Sequence, residues 1–129
     1  MSINRSSDKN PVVLLVDDDP DQLMLLQMLL EDENVDVITS QSAREGLEIV
    51  KGRPVDIVVS DVAMPGMTGI ELARGIRSMK DKGSMPVLLI SAGKEHIDFH
   101  SIDFRADGFF LKKSLKSTLV PKLRELVSE

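Results

Sequence analysis

Val12-Val13-Leu14-Leu15-Val16-Asp17-Asp18-Asp19-Pro20 is an unbroken apolar run that ends in three carboxylates and a proline. Apolar side chains on every residue suit a strand covered on both faces, as in a parallel sheet flanked by helices. A second run, Val55-Asp56-Ile57-Val58-Val59-Ser60, ends at Asp61 and turns at Met64-Pro65-Gly66. If the two runs are neighbouring parallel strands, carboxylates from distant segments meet at one sheet edge. Two like charges ~4 Å apart repel by ~1 kcal/mol in water and ~4 kcal/mol at an effective dielectric near 20. A hard divalent cation, Mg²⁺ or another such as Mn²⁺, is the counter-charge that suits such a corner.

Three further short apolar runs, Val35–Thr39, Pro86–Ile90 and Gly108–Leu111, are separated by stretches of helical period. Five strands alternating with five helices predict an α/β fold, a parallel sheet with right-handed crossovers. Asp19-Pro20 supplies a cap and a first-turn proline. Ser42 stands three residues before Glu45, the capping-box spacing. After Ser114, Leu115, Leu119, Leu123 and Leu126 recur on one face of a last helix. Pro121 within it either kinks that helix or marks a late start.

The chain has 129 residues, the size of one domain with a single core. Residues 1–10 are polar and predict a tail outside a domain spanning residues 11–129. They lack the apolar stretch of a signal peptide, and no run approaches the ~20 residues of a membrane helix. The absence of cysteine excludes disulfides and thiolate zinc sites. These features suit a cytoplasmic protein without membrane attachment. A net charge of -5 argues against direct nucleic-acid binding, which needs a basic stripe. No linker follows the last helix, so no attached output domain is expected.

Ligands of an open parallel sheet bind at the carboxyl ends of its strands. Those ends carry Asp17-Asp18, Asp61, Ser91 and Lys112. The motifs VLLVDDDP, VVSDVAMPGMTGIEL, VLLISA and DGFFLKK, in this order and placement, resemble the receiver domain of two-component response regulators. The resemblance covers residues 11 to 128. It implies a doubly wound, flavodoxin-like (βα)5 fold with strand order 2-1-3-4-5. It also implies a phosphorylation-dependent switch that catalyses its own phosphorylation and slow dephosphorylation and is not otherwise an enzyme.

The resemblance assigns roles residue by residue. Asp61 is the expected phosphoacceptor, fed by a sensor histidine kinase or a histidine phosphotransfer protein. Asp18 is expected to ligate Mg²⁺ directly and Asp17 through a water, with Asp61 and the Ala63 backbone carbonyl completing the protein ligands. Lys112 and Ser91 are expected to contact the phosphoryl oxygens. Ser91 and Phe109 form the expected switch, changing the surface of the fourth helix, fifth strand and fifth helix. The chain departs from the family at Lys113, where a proline is usual, so the cis bond that proline permits is not expected. Arg105 replaces a small residue, and Phe109 has no hydroxyl, so its two positions differ by packing alone.

Other features admit plainer readings. Asp19 reads as a helix cap. Gly66 and Gly69 read as turn residues, Lys113 as a solvated charge, and His96 with His100 as a solvated helix face. In the first helix, Leu25, Leu26, Leu29 and Leu30 are expected to face the sheet, with Met24 and Met28 beside the solvent-facing Gln27 and Glu31. Met24 and Met28 either cover neighbouring core or dock the kinase or phosphotransfer partner. An aspartate-nucleophile phosphohydrolase is a competing class, disfavoured by the missing second carboxylate at Ala63. A receiver-like module that binds partners without phosphorylation is another.

Overall fold

The computed structural model of the chain describes residues 10–93 and 106–127. In chain order the elements are β1 (Val12–Val16), α1 (Pro20–Leu29), β2 (Asp36–Ser40), α2 (Ala43–Gly52), β3 (Ile57–Asp61), α3 (Gly69–Arg77), β4 (Val87–Ser91) and β5 (Gly108–Leu111). A 3-10 turn, Lys112–Ser114, then leads into α4 (Leu115–Val127). The five strands are parallel in the order β2-β1-β3-β4-β5, the flavodoxin-like arrangement. The helix expected between β4 and β5 lies outside the described residues, as do His96, His100 and Arg105. The helix expected as the fifth is therefore α4 here.

Three strands are displaced by a residue or two from their expected bounds. β2 starts at Asp36, β3 at Ile57 and β4 at Val87. Ahead of β4, Pro86 has no N–H to donate, and its carbonyl instead accepts from Val58 N at 3.0 Å. Ahead of β3, the Asp56 side chain takes up the Val12 N–H at 2.8 Å, closing the foot of β1 against the foot of β3.

Each face of the sheet has its own core. Val13, Leu15, Ile57, Val59, Leu88 and Ile90 meet Leu23, Leu26 and Leu30 around α1 and Leu115, Leu119 and Leu123 of α4. The alternate residues Leu14, Val16, Val58, Val87 and Leu89 meet Ala43 and Val50 of α2 and Leu72, Ala73 and Ile76 of α3. The period of two along each strand thus divides one apolar run between two layers.

The expected inward face of α1 needs correction at Leu25, which is 55% exposed. Leu26 and Leu30 are buried as expected, Leu29 is partly buried against the same core, and Leu23 takes the remaining inward place. The leucines occupy one broad side of the helix with Leu25 at its edge beside Met24 and Met28, and contact with the sheet decided where along that edge burial stops. Gln27, Glu31, Met24 and Met28 face outward as expected.

Asp19 caps α1, accepting from Asp21 N at 2.9 Å. Ser42 accepts from Glu45 N at 3.1 Å, but the Glu45 carboxylate accepts from Ser40 Oγ, so the reciprocal half of the expected box is diverted. The complete capping box is at Thr68 and Glu71, at the start of α3. α4 is already helical before Pro121, which excludes a late start. Every peptide bond among the described residues is trans, Lys112–Lys113 included.

Candidate functional site

The register places the chemistry-bearing residues at one end of the sheet. Val16 is paired with Ser60 and Asp61 with Ile90, so Asp17, Asp61 and Ser91 leave adjacent strands side by side. Ser91 is in turn paired with Leu111, which brings in Lys112 at the next residue. One carboxylate oxygen each from Asp17, Asp18 and Asp61 lie within 4.8 Å of one another. The Lys112 ammonium stands 3.3 Å from Asp17 Oδ2 and 3.4 Å from Asp61 Oδ2.

Asp17 is fully buried. Its backbone N–H donates to Ser40 O at 3.1 Å, tying the β1 end to β2. Its Oδ1 accepts from Asp19 N at 2.9 Å, which turns the chain into α1. Its Oδ2 has a charge contact with Lys112 but no well-formed hydrogen bond. Burial raises the Asp17 pKa above the usual carboxylate range, against the Asp19 N–H and the Lys112 ammonium. Asp61, also buried, is pushed up to about 6, first by burial and then by the Asp17 charge; Lys112 and the Ala63 N–H work in the other direction. Burial alone would lower the Lys112 pKa, but the two carboxylates outweigh it and raise the value.

Two aspartates whose charged forms are disfavoured, a third exposed at the rim, and a buried oxygen lacking a hydrogen bond make an electron-rich, incompletely compensated corner. Its all-oxygen donor set fits a hard divalent cation. Lys112 is a single positive charge shared between two carboxylates, so the corner retains net negative charge with the ammonium in place.

Ser91 is buried at the end of β4, and its Oγ accepts from Gly93 N at 2.9 Å. Phe109 is partly buried against the α2/α3 core, opposite Leu89 on β4. The Ala63 N–H acts on the Asp61 carboxylate in the direction that favours its charged form.

Two supporting residues were not recognised in the sequence reading. Ser60 is buried and its Oγ donates to Asp61 O at 2.9 Å; a polar residue inside an otherwise apolar run was its available signal. Gly69 was read as a turn glycine, but it is the first residue of α3, and a Cβ there would lie 2.3 Å from Asp61 O. Gly66, by contrast, has φ +78 and open space around its Cβ position, the signature of a turn.

Residues 13–124 match the response regulator receiver domain. The chain is 39% identical over 80 residues to an uncharacterized 14.6 kDa protein of Leptolyngbya boryana, covering 62% of this chain and 61% of that protein. It is 40% identical over 86 residues to the transcriptional regulatory protein GlrR of Escherichia coli, covering 67% of this chain but only 19% of that regulator. It thus spans less than two thirds of the length of either relative. Among solved structures, the response regulator TrrA of Thermotoga maritima in complex with Mg²⁺ and BeF superimposes with a TM-score of 0.79 at 30% identity, covering 90% of this chain and 98% of that one. A family match over nearly the whole sequence, together with the acidic corner at the strand ends, makes this chain a member of the response regulator receiver domain family.

Proposed function

We propose that this chain is a signalling switch of a two-component system in which Asp61 accepts a phosphoryl group from a phosphohistidine on a sensor histidine kinase or histidine phosphotransfer protein. The observation that carries this reading is the convergence of Asp17, Asp18 and Asp61 with the Lys112 ammonium, 3.3 and 3.4 Å from two of those carboxylates. TrrA, structured with Mg²⁺ and BeF, lends support.

In this reading Asp17, Asp18, Asp61 and the Ala63 backbone carbonyl hold Mg²⁺, or another divalent cation such as Mn²⁺. The ion would neutralise the carboxylates and the phosphoryl oxygens, which otherwise repel each other. An Asp61 carboxylate oxygen attacks phosphorus, an O–P bond forms, and the P–N bond to histidine breaks with its electron pair leaving on nitrogen. Lys112 follows the developing charge from Asp61 onto the phosphoryl oxygens, and the Ser91 hydroxyl donates to one of them. The Ala63 N–H, which favours the charged form of Asp61, supports the carboxylate as nucleophile. Water attacking phosphorus later breaks the Asp61 O–P bond, whose electron pair returns to the carboxylate as inorganic phosphate leaves. The new charge draws Ser91 inward, and Phe109 repacks into the space released.

The donor's docking surface is assigned to α1. Met24, Leu25 and Met28 are 61%, 55% and 59% exposed, and α1 starts beside the acidic corner through the Asp17–Asp19 turn. Among the described residues no helix is long and apolar enough to cross a membrane.

The test is incubation with Mg²⁺ and acetyl phosphate, followed by intact mass. One phosphoryl group per chain, absent in Asp61→Asn, is the expected result. Turnover of many equivalents would indicate a phosphohydrolase, and no addition would remove the phosphoacceptor reading.

A further inference from the structure

Lys112 reaches the acidic corner from β5, a four-residue strand at the sheet edge whose side chains are all only partly buried. Within the strand, register is marked by Phe109, packed on the α2/α3 core, and Phe110, packed on the α1/α4 core. Its first residue, Gly108, has no side chain to lock against β4. The space a Cβ would take is filled by the Phe110 ring, 2.7 Å away, and by Leu88, 3.2 Å away. Beyond the strand, the 3-10 turn begins at Lys112 without a side-chain cap. A slip of one residue along β4 would carry Lys112 ~3.3 Å along the strand direction and exchange the faces taken by Phe109 and Phe110.

The opposite end of the strand is clamped. Asp107 N donates to Val87 O at 2.7 Å, and Asp107 Oδ2 accepts from Val87 N at 2.8 Å, so one residue closes both backbone groups at the foot of β4. The same carboxylate oxygen accepts from Arg77 Nη2, while Arg77 Nη1 donates to the Met85 carbonyl. The Arg77 side chain is largely covered, and its guanidinium is divided between two acceptors whose separation it fixes. Arg77 ends α3, and α3 begins at Gly69 against the Asp61 carbonyl. One helix therefore touches the backbone of Asp61 at its start and the foot of the Lys112 strand at its end.

We infer that Arg77 and Asp107 are positioning residues for phosphoryl transfer: their clamp sets the register of β5 on β4, which brings the Lys112 ammonium to Asp17 and Asp61. The inference rests on the phosphoacceptor reading for its consequence, but the placement of Lys112 is measurable apart from it. Neither residue touches the acidic corner, so any effect there passes through β5.

The test uses Arg77→Gln and Asp107→Asn in the whole chain, the asparagine retaining an acceptor for Val87 N. Misplacing Lys112 by about an ångström is expected to slow phosphorylation by acetyl phosphate at saturating Mg²⁺ by about tenfold or more. Mg²⁺ affinity, measured by calorimetry, is not expected to fall, because the proposed ligands come from the ends of β1 and β3 and the turn after β3, and moving the Lys112 ammonium away from Asp17 and Asp61 removes a competing charge. Amide exchange should quicken at Phe109–Leu111 and not at Val13–Val16. Unchanged rates would overturn the inference, and so would a parallel fall in rate and Mg²⁺ affinity, which marks general loosening. If the unaltered protein accepts no phosphoryl group, the phosphoacceptor reading falls on its own. The clamp is then judged by the ammonium NMR signal of Lys112: a shift in Arg77→Gln sustains it, and an unmoved signal overturns it.

Discussion

Gly69 abuts the backbone carbonyl of Asp61 so closely that a Cβ at position 69 would lie 2.3 Å from the carbonyl oxygen. The contact is backbone to backbone, so no change of rotamer relieves it. The start of α3 and the end of β3 are pressed together where the proposed nucleophile leaves the sheet, and the Gly69 N–H donates to Val62 O at 3.0 Å.

Gly69→Ala is therefore expected to destabilise the fold by ~1–3 kcal/mol, the usual cost of overpacking. Urea unfolding measures the loss. Phosphorylation of the folded fraction should also slow, because relief of the clash displaces Asp61. An alanine variant with unchanged stability and rate would mean that the two backbones separate without consequence.

The raised pKa of Asp61 sets a pH dependence of stability. The unfolded side chain titrates near its ordinary 3.8 and the folded one at about 6. Between those values the folded state holds more protons, so this group's contribution to stability falls as pH rises and its penalty is complete above about 6. Asp61→Asn removes the penalty. In metal-free buffer above neutrality the variant should be the more stable by ~1–3 kcal/mol, with the gain fading as pH falls from 6 toward 4. Thermal melts of both proteins across that range decide the matter, and a gain that grows in acid would contradict the burial argument.

Divalent cation should act in the opposite direction to the crowded charges. Mg²⁺ is expected to raise the melting temperature at neutral pH, by the equivalent of ~1.4 kcal/mol at about tenfold excess over Kd. Asp18→Asn should reduce that gain, because one of three converging carboxylates loses its charge. The effect should also diminish below pH 6, as protons compete for Asp61. Calorimetric titration of both proteins checks it, and equal Mg²⁺ affinity would remove Asp18 from the ligand set.

The exposed Met24 and Met28 on α1 separate docking from chemistry. Replacing both with lysine should slow transfer from a phosphohistidine donor by about tenfold or more, since apolar contacts at the centre of an interface carry much of its energy. Phosphorylation by acetyl phosphate should be unaffected. Equal rates with the protein donor would leave these methionines as ordinary surface.

Much of this protein was legible before any coordinates. Val12–Val16 and Val55–Ser60 announce buried parallel strands because a strand covered on both faces needs apolar side chains on every residue. The carboxylates, Ser91 and Lys112 are legible at the ends of such runs, where the chain must leave the sheet. The caps at Asp19 and Ser42 are local events, decided within three residues of chain.

Other features belong to the assembled molecule. Leu25 faces water because contact with the sheet, not the leucine pattern, decided where the buried face of α1 ends. The close approach of Gly69 to Asp61, the ion pair of Lys112 with the buried Asp17 and the grip of Arg77 on Asp107 join segments whose spacing in the chain carries no sign of contact. Hydrophobic period and capping act over a few residues, and sequence records them directly. Desolvation and steric contact depend on which surfaces meet when the two layers close on the sheet, and that is decided only in three dimensions.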